Sequence, residues 1–432
     1  MPQRILLALL LLLATFAAAC PAPGGEGEGE GEGEGEGEGE GEGELTWYRD
    51  VLPVAQQKCM QCHVDGGMAP FSFEDAAVVA DSAGTIGAVV QARAMPPWTA
   101  SDDCRSSTGE ARHYVGDRSL LDGEVDLFVR WAQQGGVLGD PAHAPATGPS
   151  APPMLTSPDA TLQMAAPYTP QAAPDEYHCF LLDPATTRPE DIVGFDVVPG
   201  NGAIVHHVIL FAADRAAALA VDSNSPGVGW DCYGGSGVGS FNDQDAPQVG
   251  GWVPGTGAVF YPTGTGIPLA QNQVLIMQVH YNTQNVTDVV PDQTTVRLQF
   301  ADNPVAPAQI FMLSDPGFTL PPGRTTSHSY SGSVIGALFP RGVTVWGLTP
   351  HQHNLGTHIS VTSSTQACLV DVPRWDFHWQ DSYFLAGGGV SLPADSAFTV
   401  SCEWNNTTNQ TVGFGEGTAD EMCVVFVYVT VN

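Results

Sequence analysis

A chain of 432 residues is long enough for two or three domains, each with its own core. Glycine (50) and proline (34) supply nearly a fifth of it and charged residues only 14%, a balance that favours turn-rich β structure and excludes a mainly helical protein. The net charge of −33 excludes a nucleic-acid partner, because phosphates would be repelled; ten of the 47 acids lie in one Gly-Glu tract, and the rest stays strongly acidic without them.

Residues 1–20 read as an export signal: Arg4, an apolar run from Ile5 to Leu13, then small residues ending in Ala17-Ala18-Ala19-Cys20. A cysteine directly after such a run resembles a bacterial lipoprotein signal, and the resemblance implies that Cys20 becomes the lipidated first residue of the mature chain. Leucine is usual where Ala17 stands, and an ordinary cleaved signal or an uncleaved anchor are the other readings of the same residues. All three place the folded part outside the cytoplasm, where disulfides persist, and the lipidated reading holds it on the bacterial cell envelope. No later run is apolar enough to span a membrane, so the lipid anchor is the only membrane contact expected. Residues 21–45 are dominated by the Gly-Glu alternation from Gly25 to Glu44, which has nothing apolar to bury and repels itself, so they read as an extended, disordered spacer.

Residues 46–139 read as a small α-helical module. Trp47-Tyr48-Arg49-Asp50-Val51-Leu52 leads into one helix, and a second is expected over Ser119 to Gln134, with Ser119 and Asp122 in its first turn, Val125, Phe128, Val129 and Ala132 on one face, and Gly135 at the stop. Between them stands Cys59-Met60-Gln61-Cys62-His63, the pattern for covalent haem attachment: two thiols three apart form thioethers, and the next histidine reaches the iron. A thioredoxin-like pair followed by an accidental histidine is the competing reading, and it lacks a βαβ setting here. Met95, in Ala94-Met95-Pro96-Pro97-Trp98, is the candidate sixth ligand, with Met68 as its competitor. The segment from the cysteine pair to about residue 140 resembles bacterial cytochrome c modules joined to other exported domains. In that resemblance the methionine of the MPPW element is the distal ligand.

Residues 140–158 are proline-rich and uncharged after the first position, hence a linker. Beyond it come short β-type runs at Tyr177 to Leu182, Asp191 to Val198, Val205 to Ala212, Val274 to Tyr281, Thr295 to Ala301, Gln309 to Leu313, Val343 to Leu348, His358 to Thr362, Phe398 to Glu403 and Cys423 to Val431. Strands so spaced imply two all-β, jelly-roll-like sandwiches, over residues 159–302 and 303–432.

The histidines of this half are grouped. His206-His207 open a strand, His280 ends one, and His351-Gln352-His353 are two apart, so that a metal can be shared while Gln352 points away. Adjacent His206 and His207 converge only if the backbone turns at His206. Imidazole suits Cu and Zn, and a thioether such as that of Met422 favours Cu(I); His₂Met is a poor zinc set. His178, His328, His358 and His378 read as structural.

Four runs carry a further resemblance: HHVILF at 206–211, Gly251-Trp252-Val253-Pro254-Gly255 through Val279-His280-Tyr281-Asn282, PHQHNLG at 350–356 and EMC at 421–423. In this order they resemble the copper type II, ascorbate-dependent monooxygenase family, which includes dopamine β-monooxygenase and peptidylglycine α-hydroxylating monooxygenase. The resemblance implies an electron-supplying copper on His206, His207 and His280, and a second copper, which binds O₂ and attacks a C–H bond, on His351, His353 and Met422. It also implies disulfides Cys179–Cys232 and Cys402–Cys423. Of the nine cysteines, Cys104 and Cys368 remain, free to pair across domains or to stay reduced.

The expected function is a hydroxylase with two coppers and one covalent haem c, acting on a small-molecule C–H substrate and O₂. Its electrons come through the tethered haem, with an external donor behind it. The rival class is not an enzyme: a copper- and haem-binding lipoprotein for electron transfer or redox sensing. The residues by which animal members hold an amine or a peptide carboxylate are not recognisable, so the substrate is left open.

Overall fold

The computed structural model describes residues 43–65, 69–101, 104, 114–146, 154–239, 246–254, 256–284, 286, 289–332, 335, 339–365 and 368–432. The expected signal with Cys20, nearly all of the Gly-Glu tract, the competitor Met68 and linker residues 147–153 lie outside the described residues.

The first part is helical. A π-helical turn at Trp47–Val51 runs into a helix at Leu52–Lys58, and further helices follow at Ala76–Asp81, Ala83–Gln91 and Asp122–Gln133. The last starts three residues later than Ser119, because Glu124 caps the backbone N–H of Leu121 and so makes Leu121 the N-cap. It stops where Gly135 takes a left-handed turn (φ +93°). Trp47, Phe128 and Trp131 are fully buried at its centre. The two middle helices carried no sequence signal strong enough to be expected. One of them approaches Asp122–Gln133 so closely that a Cβ at Gly87 would lie 2.6 Å from the Ala132 Cβ.

Two β cores follow. The first lies between a five-stranded sheet, ordered Trp230–Asp231, Asp175–Leu182, Gln273–Asn282, Val205–Asp214, Gln248–Trp252, and a second sheet that contains Glu190–Val198 and Thr295–Phe300. The strand Gln273–Asn282 is buried on both faces, since the helix Arg215–Asn224 and the Cys179–Cys232 disulfide cover its outer side. The second core lies between Ala306–Ser314, Val424–Val431 and Val343–His351 on one side and Arg324–Gly332, Phe398–Asn406 and Gly356–Ser363 on the other. The two sandwiches share a sheet: Ala306 and Pro307 pair in parallel with Thr265 and Gly266, making one ten-stranded sheet across both.

The helical part differs from a module on a free linker. Trp98, Ala100 and Tyr114 are buried in the core of the second sandwich, and Cys104 is disulfide-bonded to Cys368. Ser101 N donates to Asp371 O (2.7 Å), Val115 N to Phe384 O (2.8 Å), and the Arg374 guanidinium to the carbonyls of Ala92 and Arg93. The linker is anchored as well, for Leu155 is buried and its N–H donates to Asp196. The physical reason is that Trp98 and Tyr114 are large apolar side chains whose burial the small helical core cannot supply. Trp98→Ala should therefore destabilise the second sandwich by about 3–5 kcal/mol. Calorimetry checks this, and an unchanged transition for the sandwich would show that this segment only rests on its surface.

Candidate metal centres

His206, His207 and His280 come together. His207 sits opposite His280 in the pairing of Val205–Asp214 with Gln273–Asn282, and the register shifts between Val205 and His207, so His206 is the extra residue of a bulge. That bulge turns two adjacent side chains to one side of the strand. The Nδ1 atoms of His206 and His280 each lie 3.3 Å from the Nδ1 of His207. Ligand nitrogens about 2 Å from one ion at tetrahedral angles are about 3.3 Å apart, so the cluster has the spacing of a metal site. His280 donates from Nε2 to Asp175 (3.0 Å), which also accepts from Asn282, and the Tyr177 ring stacks flat on it at 4.2 Å. The His280 hydrogen bond holds the Asp175 carboxyl below its ordinary range. Burial pushes His206 down to about 4 and His207 well below its usual value, so these imidazoles are neutral and ready as ligands at neutral pH.

His351 and His353 form a second group, with ring centroids 5.1 Å apart and planes at 81°. His351 ends the strand Val343–His351, opposite Val424, but His353 lies in the turn after it, so strand alternation alone does not align the two. Glu421 does. Its buried carboxylate accepts from His353 N (3.0 Å), Leu355 N (2.5 Å), Met422 N (3.2 Å) and Trp404 Nε1 (3.0 Å), which ties the histidine turn to the segment carrying Met422. His351 Nδ1 donates to Gln380 Oε1 (2.7 Å) and His353 Nδ1 to Asp420 O (3.0 Å), leaving both Nε2 atoms for a metal. Burial pushes His351 down to about 3 and His353 to about 4. Gln352 points away, buried, and donates to Glu403 O. Met422 is buried beside the disulfide Cys402–Cys423.

The two groups face one cavity of about 840 Å³, lined by His207, His351, His353 and Met422. Phe377 spans them, its ring stacked on His206 at 4.9 Å and edge-on to His353 at 5.9 Å. Gln61, between Cys59 and Cys62, and Arg118 line the same cavity.

Around the cysteine pair, Cys59 and Cys62 are free thiols, and His63 N donates to Cys59 O across one turn. His63 Nδ1 donates to Phe71 O (2.9 Å) and the ring stacks on Phe73 at 4.3 Å, so Nε2 is the ring nitrogen not used in that hydrogen bond. Burial pushes the Cys59 thiol up to about 12, so it stays protonated at neutral pH. Met95 is half-buried.

Other histidines have protein partners: His178 touches Tyr168, Asp231 and Val228, His328 touches Asp315, His358 touches Asp371, and His378 touches Asp376. Sequence reasoning missed Asp175, Phe377, Gln380 and the role of Glu421. Of these only Glu421 had a signal, as the first residue of EMC beside Met422. Glu421→Gln puts an amide NH₂ against N–H donors, and should cost about 1–3 kcal/mol. It should also loosen copper held by His351 and His353 while sparing the other three histidines. Urea unfolding and equilibrium dialysis against copper check this, and equal loss at both groups would refute the local role.

Comparison with known proteins agrees with this geometry. Residues 161–288 match the copper type II ascorbate-dependent monooxygenase N-terminal domain, and residues 308–430 match the C-terminal domain of the same family. Similar curated proteins include a tyramine beta-hydroxylase of Caenorhabditis briggsae, 23% identical over 54% of this chain and 40% of its own length. A dopamine beta-hydroxylase of Canis lupus familiaris is 21% identical over 60% of this chain and 41% of its length. The chain thus spans about two fifths of the length of these relatives. The two histidine groups fall, in order, within these two matched stretches on two joined sandwiches, and residues 161–288 and 308–430 belong to one family: the chain carries the N- and C-terminal domains of the copper type II ascorbate-dependent monooxygenases.

Proposed function

We propose that this chain is a copper-dependent monooxygenase that inserts one atom of O₂ into a C–H bond of a small molecule and reduces the other to water, with electrons supplied through a c-type haem on Cys59 and Cys62. The observation that carries the reading is the pair of histidine groups facing one cavity and offering opposite ring nitrogens, Nδ1 from His206, His207 and His280 and Nε2 from His351 and His353. Bound copper would supply one-electron chemistry toward O₂ at His351, His353 and Met422 and hold the second electron at the other three histidines.

The protein's own part is positional. Gln380 and Asp420 O hold the two Nδ1 protons, Asp175 orients His280, and the thioether of Met422 favours the reduced metal. Apolar side chains such as Ile310, Met312 and Phe414 share the cavity wall and suit an uncharged C–H-bearing portion of a substrate.

The haem reading rests on the free thiols, on the orientation of His63 and on Gln61 at the cavity wall, with Met95 as the sixth ligand. Docking by the Cys104–Cys368 disulfide favours internal delivery of electrons, with an external donor reducing the haem. We read the apolar run from Ile5 to Leu13, with the small residues up to Cys20, as favouring export and a lipid anchor at Cys20, outside the cytoplasm. Among the described residues no helix is long and apolar enough to cross a membrane.

Copper-replete protein should bind two coppers per chain and take up ¹⁸O₂ with a reductant and a suitable compound, leaving ¹⁸O in the product. Met422→Ile should lower turnover roughly 10–100-fold and spare copper at His206, His207 and His280. One copper, zinc in its place, or two coppers with no oxygen incorporated across a broad library would favour the non-enzymatic carrier. In a host with haem-attachment machinery the pigment should resist acidified organic solvent and vanish in Cys59→Ala/Cys62→Ala. Met95→Ala should remove the low-spin sulfur-ligand spectrum while the haem stays attached, whereas a retained spectrum would move that role to Met68.

A further inference from the structure

The loop from Arg374 to Ser382, between the strands Val370–Val372 and Tyr383–Phe384, touches both histidine groups at the cavity. Trp375 Nε1 donates to His353 O (3.1 Å), Phe377 stacks on His206, and Gln380 accepts from His351. The Gln380 amide cannot turn over without loss, because its Nε2 donates to Phe377 O (2.9 Å). This commits Oε1 to the His351 Nδ1–H and so aims Nε2 of that ring at the metal position.

The next residue, Asp381, is partnered from the helical part of the chain. Its carboxylate accepts from Arg118 at 2.6 Å, and the Arg118 guanidinium also lies over the Trp98 ring, 5.1 Å from its centroid. The two side chains are only 21% and 16% exposed. The preceding Asp117 carbonyl accepts from Lys58, the last residue of the helix that ends at Cys59. A connected series of contacts therefore runs from the Cys59 helix through Asp117 and Arg118 to Asp381, Gln380 and His351. Arg118 lies outside both stretches matched to the copper family.

We infer that Arg118 is a positioning residue for His351: its ion pair with Asp381 keeps the loop seated so that Gln380 fixes the tautomer and tilt of the ring. Without the guanidinium, Asp381 becomes a largely buried carboxylate with no cation, and the loop carries it toward water. Gln380 moves with it, because the two are adjacent. His351 Nδ1 then loses its acceptor, and the ring can present either nitrogen. The helical part thus acts through a hydrogen bond on the half-site of His351, His353 and Met422, whereas the loop meets the other half-site only by the Phe377 ring on His206.

The inference rests on the copper reading but needs no haem, so it is tested in the full chain by copper itself. Cu(I) affinity is read by competition with a chromogenic chelator and Cu(II) geometry by electron paramagnetic resonance. Arg118→Met should weaken one of the two coppers roughly 10-fold and alter its hyperfine pattern, leaving the other unchanged. Arg118→Lys, which keeps the charge, should restore much of the difference. Gln380→Leu should reproduce the altered copper with the ion pair intact, and adding Arg118→Met to it should change that copper little further, the mark of two residues acting in series. Should Arg118→Met fail to fold, Asp381→Asn, which removes the buried charge together with its pair, must still alter the same copper. Normal signals at both coppers in Arg118→Met, even with lowered thermal stability, would reduce Arg118 to a structural anchor and overturn the inference. Absence of a second copper from the unaltered protein is a different failure, which removes the copper reading and this inference with it.

Discussion

A carboxylate shut away from water must receive its hydrogen bonds from the protein, and Glu421 receives four, from three backbone N–H groups and one indole. The geometry of the second histidine group follows from that requirement. The donors come from the turn after Val343–His351, from the segment before Val424–Val431 and from Trp404 on the facing sheet, so satisfying one buried charge brings three separate pieces of chain into register. Burial opposes ionisation and raises the carboxyl above its ordinary range, whereas the four donors work in the other direction. The adjoining Cys402–Cys423 disulfide ties the same segment to the strand of Trp404.

The two histidine groups sit on different sandwiches, and their relative position depends on the continuous sheet. The parallel pairing of Ala306 and Pro307 with Thr265 and Gly266 joins the halves edge to edge, and Phe377 closes the contact across the cavity. A simple tether between sandwiches would leave that distance to thermal motion. The segment around Trp98 and Tyr114, the Cys104–Cys368 disulfide and the Arg118–Asp381 pair add the helical part to the same body.

His280, His351 and His353 each have one ring nitrogen occupied by a protein partner, which leaves the other one. Where Asp175 takes the Nε2 proton of His280, Nδ1 is turned inward; where Gln380 and Asp420 O take the Nδ1 protons, Nε2 is left. Imidazoles that are buried and neutral can accept a metal without first losing a proton, a property of desolvation more than of any single partner.

Much of the β region was legible in the order of residues, because strand formation follows local alternation and turn composition: all ten expected runs overlap strands of the structure. The residue types of the two histidine groups were legible too, since His-His and His-x-His are local patterns with few chemical uses. Long-range geometry was not. That His206 is a bulged residue depends on the register of Val205–Asp214 against Gln273–Asn282, some seventy positions away, and that His353 faces His351 depends on a carboxylate at position 421. Cys104 and Cys368, which the sequence left either paired or free, are bonded in the same part of the chain whose Trp98 and Tyr114 are buried in the second sandwich. A single sequence records which side chains are offered; which of them meet is decided by tertiary packing, because apolar burial and the partnering of buried polar groups act between segments that no local pattern connects.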